Sequence, residues 1–512
     1  MITVIILNKC PIYRNFTSIC PIYILEMLLV VFIALAFVVI FHGIQLYLVE
    51  RRYDLPPGPR PYPFFGSIFS ARGEKKIFKA LDKLSKRYGP VMTFYMGQIR
   101  MIVVSGIEEI QEAIVVKVKV FSKRPIHLIP ALQKLPTGVL LSSGDVWQRN
   151  RRFSLRALRD FGMGKAAMIV NIHEEVGYLL ASFESHIDQE VDPEHLLTNG
   201  VSNVICSLVF GRRFDYDDKE FARILQILNS ISSASFASRF LEFFTPFLTR
   251  FISPHVLTSS LELKEVVERF LKQAIEDHRK DFSPEALRDF PDYFIQAENL
   301  DEEINFDNFA NIMVDLFLAG TETTSTLLNW TLLYLSKRKD VQQRCHEEID
   351  KVIRSNRLPT LEDRPNLVYI DAVLNEIMRF VTIAPQALFH ANVEDADSVG
   401  GYEVPANSLI MYNVWGVHND PSYWKNPDEF DPDRWIGNDG KLLTHSTHFM
   451  PFGVGPRICL GELLAKAESF IFLVAILQRF KFSLSTPNVS VEDGNSGVTH
   501  SPPHYKLLIK ER

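Results

Sequence analysis

Phe452-Gly453-Val454-Gly455-Pro456-Arg457-Ile458-Cys459-Leu460-Gly461 is the most constrained stretch of the chain. Three glycines and a proline surround one cysteine, the mark of a backbone loop with unusual φ/ψ freedom. The residues that follow, Glu462 to Phe480, have the spacing of a helix, so Cys459 stands near a helix N-terminus. That position predicts a depressed thiol pKa and a thiolate. Freed loop amides can also donate to the sulfur. Such a loop presents a lone thiolate to a metal or an electrophile.

The other four cysteines have plainer readings. Cys10, Cys20, Cys206 and Cys345 form no CxxC pair and no zinc spacing, with each other or with Cys459. Cys206 lies in an apolar run and reads as a small buried hydrophobe. Cys345 lies on a charged helix. A cytosolic body would keep them reduced.

The segment around Cys459 resembles the haem-binding signature of the cytochrome P-450 superfamily, the haem-thiolate monooxygenases. Phe452, Gly455, Arg457, Cys459 and Gly461 match that signature without a mismatch. The resemblance implies haem b (iron protoporphyrin IX) as cofactor, with Cys459 as the axial iron ligand. Phe452 would pack near the haem and Arg457 would pair with a propionate. Thiolate ligation pushes electron density onto iron and favours O–O cleavage.

Other motifs agree. Ala319-Gly320-Thr321-Glu322-Thr323-Thr324 interrupts a long apolar run, Ile312 to Leu335. These residues are poor choices for a buried helix interior. Threonine hydroxyls can bond back to the i−4 carbonyl, and Gly320 permits a kink that would open a groove. The family places its proton-delivering acid–alcohol pair here, which implies Glu322 and Thr323 as catalytic residues. Without the resemblance, the same residues read as a polar helix–helix contact.

Glu376 and Arg379 share a helix face at spacing three. Alone, such a pair is commonplace. The family buries it against an arginine of a later Pro-acid-Arg-aromatic segment, here Pro432-Asp433-Arg434-Trp435. Asp and Trp replace the commoner Glu and Phe. The implied role is structural: Arg379 and Arg434 on one carboxylate, locking the loop that leads to Cys459. Trp147 and Arg151, four apart, make a fork of donors suited to carboxylates. The resemblance gives them the haem propionates, with Arg124 and His390 as two further contacts. An ordinary surface cation is the plainer reading of Arg124 and of His390.

The match runs from Pro56 to the end. Trp147 to Gly164 and Asn203 to Tyr216 look like the animal microsomal family-two group. By position, substrate contacts fall on Val139, Leu140, Leu141, Phe236, Phe240, Asp315, Leu316, Ala319, Ala384, Leu388, Val498 and Thr499. All but Asp315 and Thr499 are apolar, which implies a lipophilic substrate. Asp315 has two readings: a contact for a cationic or hydroxyl group, or a cap on a neighbouring loop. The phenylalanines between Phe236 and Phe251 could dip into a bilayer.

Composition sets the frame. The chain has 512 residues, 47% hydrophobic and 23% charged. That mix excludes a disordered, collagen-like or disulfide-stapled protein. At roughly 150 residues per domain, the length suggests about three domains. Beyond Pro63, however, there is no internal repeat and no second linker, so one body is expected. Its helix-like runs outnumber its strand signals (Val91–Tyr95, Ile102–Val104, Ser408–Tyr412). The expected fold is therefore α+β, mainly α with small β-sheets, and the resemblance implies a cytochrome P-450 fold, here behind an N-terminal transmembrane helix. The 38 Phe against 16 Tyr and 5 Trp suit a large apolar cavity, a membrane contact, or core filling.

Met27 to Val49 carries no formal charge and is long enough to span a bilayer. Arg51, Arg52 and Arg60 follow it more densely than Lys9 and Arg14 precede it, which favours a cytosolic body. Residues 1–26 read as a variable lumenal tail or as an extension ahead of a physiological start at Met27. Mass spectrometry of the native N-terminus separates these. Residues 50–62 form a proline-rich hinge, and residues 63–512 the haem-thiolate catalytic domain. The expected location is the endoplasmic reticulum membrane, single-pass, with the domain on the cytosolic side.

No dinucleotide fingerprint follows a strand and no length remains for a flavin domain, so electrons come from another protein. The net charge of −6 argues against nucleic acid. Arg149, Arg152, Arg156 and Arg159 still form a local basic helix face, suited to an acidic flavoprotein. NADPH-cytochrome reductase is the expected donor, with a cytochrome b-type protein as a second one. The implied activity is hydroxylation or epoxidation of a lipophilic xenobiotic, fatty acid or steroid-like substrate. The alternatives are a reductase-independent haem-thiolate isomerase or dehydratase, and a non-catalytic haem-binding protein. Glu322-Thr323 argues against both.

Overall fold

The computed structural model describes residues 11–128, 133, 135, 137–161, 166–232, 255–300, 304–353, 357–393, 396–443, 447–485, 489–490, 492 and 494–512. Phe236 and Phe240, and the other phenylalanines up to Phe251, lie outside the described residues.

Helices dominate, and small sheets sit at the periphery. The first helix, Pro11–Arg52, runs through the apolar segment Leu25–Gln45, whose mean hydropathy is 2.9. None of the described side chains of its most apolar stretch is buried by the rest of the protein. A side chain such as Phe32 or Phe37 left bare in water forfeits the gain that drives folding, so a bilayer is the natural solvent. The helix carries on to Arg52, into the expected hinge. Nor is the hinge a free linker. The Thr93 amide donates to the Pro57 carbonyl at 3.1 Å, laying the prolines along a strand. His42 stacks on Phe64 at 4.8 Å, which ties the end of the anchor to the body.

That strand, β1 (Val91–Met96), pairs antiparallel with β2 (Ile99–Val104). β2 runs parallel to β4 (Ser408–Tyr412), and β3 (His390–Asn392) closes the sheet antiparallel to β4. The sheet order β1-β2-β4-β3 joins the start of the body to its last third. Non-local pairing of this kind requires one cooperative unit rather than three beads.

The core surrounds one long helix, Phe306–Lys337, whose second half is almost wholly buried. Asn305 caps it through the Asn308 amide. It packs chiefly on helix Pro193–Phe210, and the helices Val368–Val381 and Glu462–Arg479 also pack against it. Gly320 also has a packing reason from another helix. The helix is continuous through it, and a Cβ there would stand 2.6 Å from Ile205 Cδ1. Gly320 is the notch that lets helix Pro193–Phe210 approach. We expect Gly320→Ala to cost about 1–3 kcal/mol through overpacking. Thermal unfolding would show it as a lowered Tm, and Ile205→Val in the same chain should recover most of the loss.

Candidate active site

The loop before Cys459 is built on two left-handed glycines, Gly453 at φ 76° and Gly455 at φ 71°. At Gly455 a side chain is also sterically barred, since a Cβ would meet the Ile114 carbonyl at 2.7 Å. The Cys459 amide donates to the Phe452 carbonyl at 2.8 Å, closing the loop. The next helix begins at Glu462. The cysteine is exposed, whereas Cys206 and Cys345 are buried. Contrary to the expectation from the helix N-terminus, the thiol pKa is displaced upward. Lost hydration is the main cause, and the Gly461 amide and Arg151 oppose it only in part. A metal reverses that balance, because a coordinating thiol is deprotonated outright.

Beside this loop lies a group of cations, none of them ion-paired with a carboxylate among the described residues. Arg457 donates through Nε to the Ser122 carbonyl and through Nη2 to the Ser142 carbonyl. Its Nη1 is buried and, among the described residues, has no partner. Burial, then Arg124 and Arg151, lower its pKa to about 9. Arg124 is itself buried and donates to the Leu140, Leu388 and Phe389 carbonyls, its pKa lowered to about 10 by burial. Its Nη1 also faces His390 Nε2 at 3.2 Å. A guanidinium only donates, so His390 carries its hydrogen on Nδ1, and that atom is buried without a partner too. Trp147 lies under the Arg457 guanidinium at 4.1 Å, and Arg151 Nη2 holds the Ile458 carbonyl at 2.8 Å.

Two orphaned donors and three converging guanidiniums suit a ligand with two carboxylates. Haem, with two propionates and an iron seeking a thiolate, fits this donor set. Phe452 is half-buried at the head of the same loop, with Lys466 Nζ 5.2 Å from its ring centre.

A buried carboxylate holds the loop from behind. Arg379 gives Glu376 a bidentate pair, both bonds 2.8 Å, and both side chains are 0% exposed. Arg434 Nε donates to the same carboxylate at 3.0 Å. Sequence reasoning missed two further donors, the Trp435 indole and the Asp431 amide, each at 3.0 Å. The substitution of Trp for Phe thus adds a hydrogen bond. The neighbouring Asp433 is spent outside, on Arg344. Arg379 also donates to the His418 and Pro427 carbonyls. The Met450 amide donates to His418 Nε2 at 3.0 Å, so His418 is neutral with its hydrogen on Nδ1, facing Thr382. Burial lowers its pKa to about 3. Met450 lies two residues before Phe452, which completes the link from Glu376 to the cysteine loop.

On the central helix, Thr323 donates its hydroxyl to the Ala319 carbonyl at 2.8 Å. Glu322 turns to the C-terminal loop, where the Thr499 hydroxyl donates to its Oε1 at 2.9 Å. Burial raises the Glu322 pKa. Thr499 is therefore a partner of Glu322 rather than a free polar contact for a ligand. Asp315 realises the loop-capping reading. Its Oδ2 accepts the amides of Val139 at 2.6 Å and Leu140 at 2.7 Å, and burial lifts its pKa to about 7. That carboxylate is committed to the loop and not offered as a ligand contact. Val139 is buried, Leu140, Leu141, Leu316, Ala319 and Ala384 are half-buried, and Leu388 and Val498 are exposed.

Fold, cysteine loop and paired-carboxylate cradle define a haem-thiolate protein. The comparisons agree. The cytochrome P450 family model matches residues 56–509. Cytochrome P450 2B19 of Mus musculus is 36% identical over 488 residues, covering 92% of this chain and 97% of the relative. Cytochrome P450 2U1 of Homo sapiens is 33% identical over 495 residues, 90% of each chain. Cytochrome P450 2B2 of Rattus norvegicus is 36% identical over 474 residues, covering 90% and 95%. The chain belongs to the cytochrome P450 family. It is an oxidoreductase, a haem monooxygenase whose cofactor is bound through a cysteine thiolate.

Removing the carboxylate at Glu376 strands two arginines, a loss of roughly 3–5 kcal/mol. Glu376→Ala is expected to yield protein without haem, measured as haem per polypeptide. Trp435→Phe should cost only about 1 kcal/mol, the worth of one hydrogen bond, and leave haem content near normal.

Proposed function

We propose that Cys459 is the axial ligand, and that Arg124, Trp147, Arg151, His390 and Arg457 hold the propionates while Phe452 packs against the ring. The observation that carries this is the cluster of Arg124, Arg151, Arg457 and His390, none ion-paired with a carboxylate among the described residues, beside an exposed cysteine. Bound haem supplies oxygen activation, with thiolate ligation favouring O–O cleavage. The chain's own residues supply the rest. Burial favours the protonated form of Glu322, and Thr323 keeps its hydroxyl on the Ala319 carbonyl. Asp315 fixes the Val139–Leu140 turn. Val139, Leu140, Leu141, Leu316, Ala319, Ala384, Leu388 and Val498 bind a lipophilic substrate, together with Phe236 and Phe240. The product is a hydroxylated or epoxidised compound.

Electrons come from NADPH-cytochrome reductase, with a cytochrome b-type protein as a second donor. Arg149, Arg152 and Arg159 are exposed on the helix Gly144–Asp160 that carries Trp147 and Arg151. Ile458, Leu463 and Val116 are exposed beside the same loop. An apolar centre with a basic margin suits an acidic flavoprotein. Residues 27–49 anchor the protein in the endoplasmic reticulum membrane as a single span. Residues 50–62 connect to a cytosolic catalytic domain, residues 63–512.

The dithionite-reduced protein under carbon monoxide should show a Soret band typical of thiolate ligation, and Cys459→His should lose it. A wild-type spectrum without that band would overturn the ligand assignment. With reductase and NADPH, charge reversal at Arg152 and Arg156 should slow reduction several-fold in low salt and little in high salt. Unchanged kinetics would remove this docking face.

A further inference from the structure

Glu322 opens into a cavity between the central helix, the helices Pro193–Phe210 and Lys219–Ser232, and the loop Gly497–Ser501. Glycine apart, every lining side chain is polar, an unusual composition for space beside a hydrophobic core. Its space for water centres is about 40 Å³, and one water needs roughly 10–15 Å³, so a short water chain fits. The inner end is the Glu322 carboxyl, with the hydroxyls of Thr499, Ser232 and Thr326 within hydrogen-bond reach. Thr198 and Ser501 also line the cavity. The outer end is Glu194, in the first turn of its helix and exposed to solvent. Glu194 loses part of its hydration at the mouth and adjoins Asp192, and both effects raise its pKa.

The reaction needs such a supply. Inserting one oxygen atom and reducing the other to water consumes two protons, and the buried Glu322 carboxyl, whose burial favours the acid form, is placed to deliver them one at a time. Thr323 has committed its hydrogen to the Ala319 carbonyl, so replenishment must reach Glu322 from elsewhere. Resting on the monooxygenase reading above, we propose that Glu194 is the proton intake: its carboxylate binds a proton from bulk solvent and passes it through the hydroxyl-lined cavity to Glu322. Each transfer breaks one O–H bond and forms another, and no electron moves. Glu194 acts through Glu322 and is a positioning and relay residue, not a catalytic one.

The test uses the full-length holoenzyme. Infrared difference spectroscopy in D₂O follows the carboxylic acid band of Glu322, assigned by its loss in Glu322→Gln. In Glu194→Gln that band should exchange about tenfold more slowly, while haem content and the carbon monoxide spectrum stay unchanged. Turnover with reductase and NADPH alone should release more hydrogen peroxide per NADPH and show a larger solvent isotope effect. Glu194→Asp should restore both. Thr198→Leu, which fills the cavity and leaves Glu194 in place, should slow exchange as well. Wild-type exchange in Glu194→Gln overturns the proposal, even where Thr198→Leu slows it. A wild-type protein that consumes no NADPH with reductase would instead sink the monooxygenase reading, because band exchange does not depend on turnover.

Discussion

A single buried carboxylate organises the cysteine side of this molecule. Glu376 accepts from two arginines, an indole and a backbone amide, and nothing about it touches water. An ion pair in such a place gains little net stability, because desolvation offsets most of the attraction. What it provides is position. Arg379 extends the same network to the His418 and Pro427 carbonyls, and His418 passes it to the Met450 amide. The cysteine loop is thus hung from the core by directional bonds, each of which would leave a buried group unsatisfied if the loop moved.

The opposite arrangement prevails around Arg457. There, among the described residues, three guanidiniums converge and two buried donors lack acceptors, an arrangement that would favour a ligand bearing carboxylates. Energy withheld from the protein's own contacts becomes binding energy for the cofactor. Asp315 stands near enough to Arg124 for the two charges to interact, yet its oxygen is used on the Val139 and Leu140 amides. One acid therefore holds the loop over the site without cancelling the field that holds the cofactor.

Much of this was legible beforehand because it resides in local pattern. The strand Ser408–Tyr412 was read to the residue, and the helix after Cys459 to within one residue, since periodicity and flanking breakers are properties of a short window. Other features were misread because their cause lies elsewhere in the chain. Gly320 was read only for the kink it permits in its own helix; its close packing on Ile205 of another helix was not foreseen. Trp435 looked like a tolerated replacement for Phe, yet its indole completes the shell of a carboxylate far away in sequence. The proline hinge looked like a free spacer, whereas the Thr93 amide binds it to the sheet.

The sequence by itself determined the periodicity of the elements, the apolar N-terminal helix and the glycine geometry of the loop before Cys459. These follow from backbone sterics and from hydropathy, which need no partner. Only the tertiary structure decided how each polar side chain is spent. It turned Asp315 to a loop, Thr499 to Glu322 and Thr323 to its own helix, and it left Arg457 and His390 with an open donor each. A buried polar atom must be satisfied by whatever folding brings within about 3 Å, and that choice is set by packing across the whole chain.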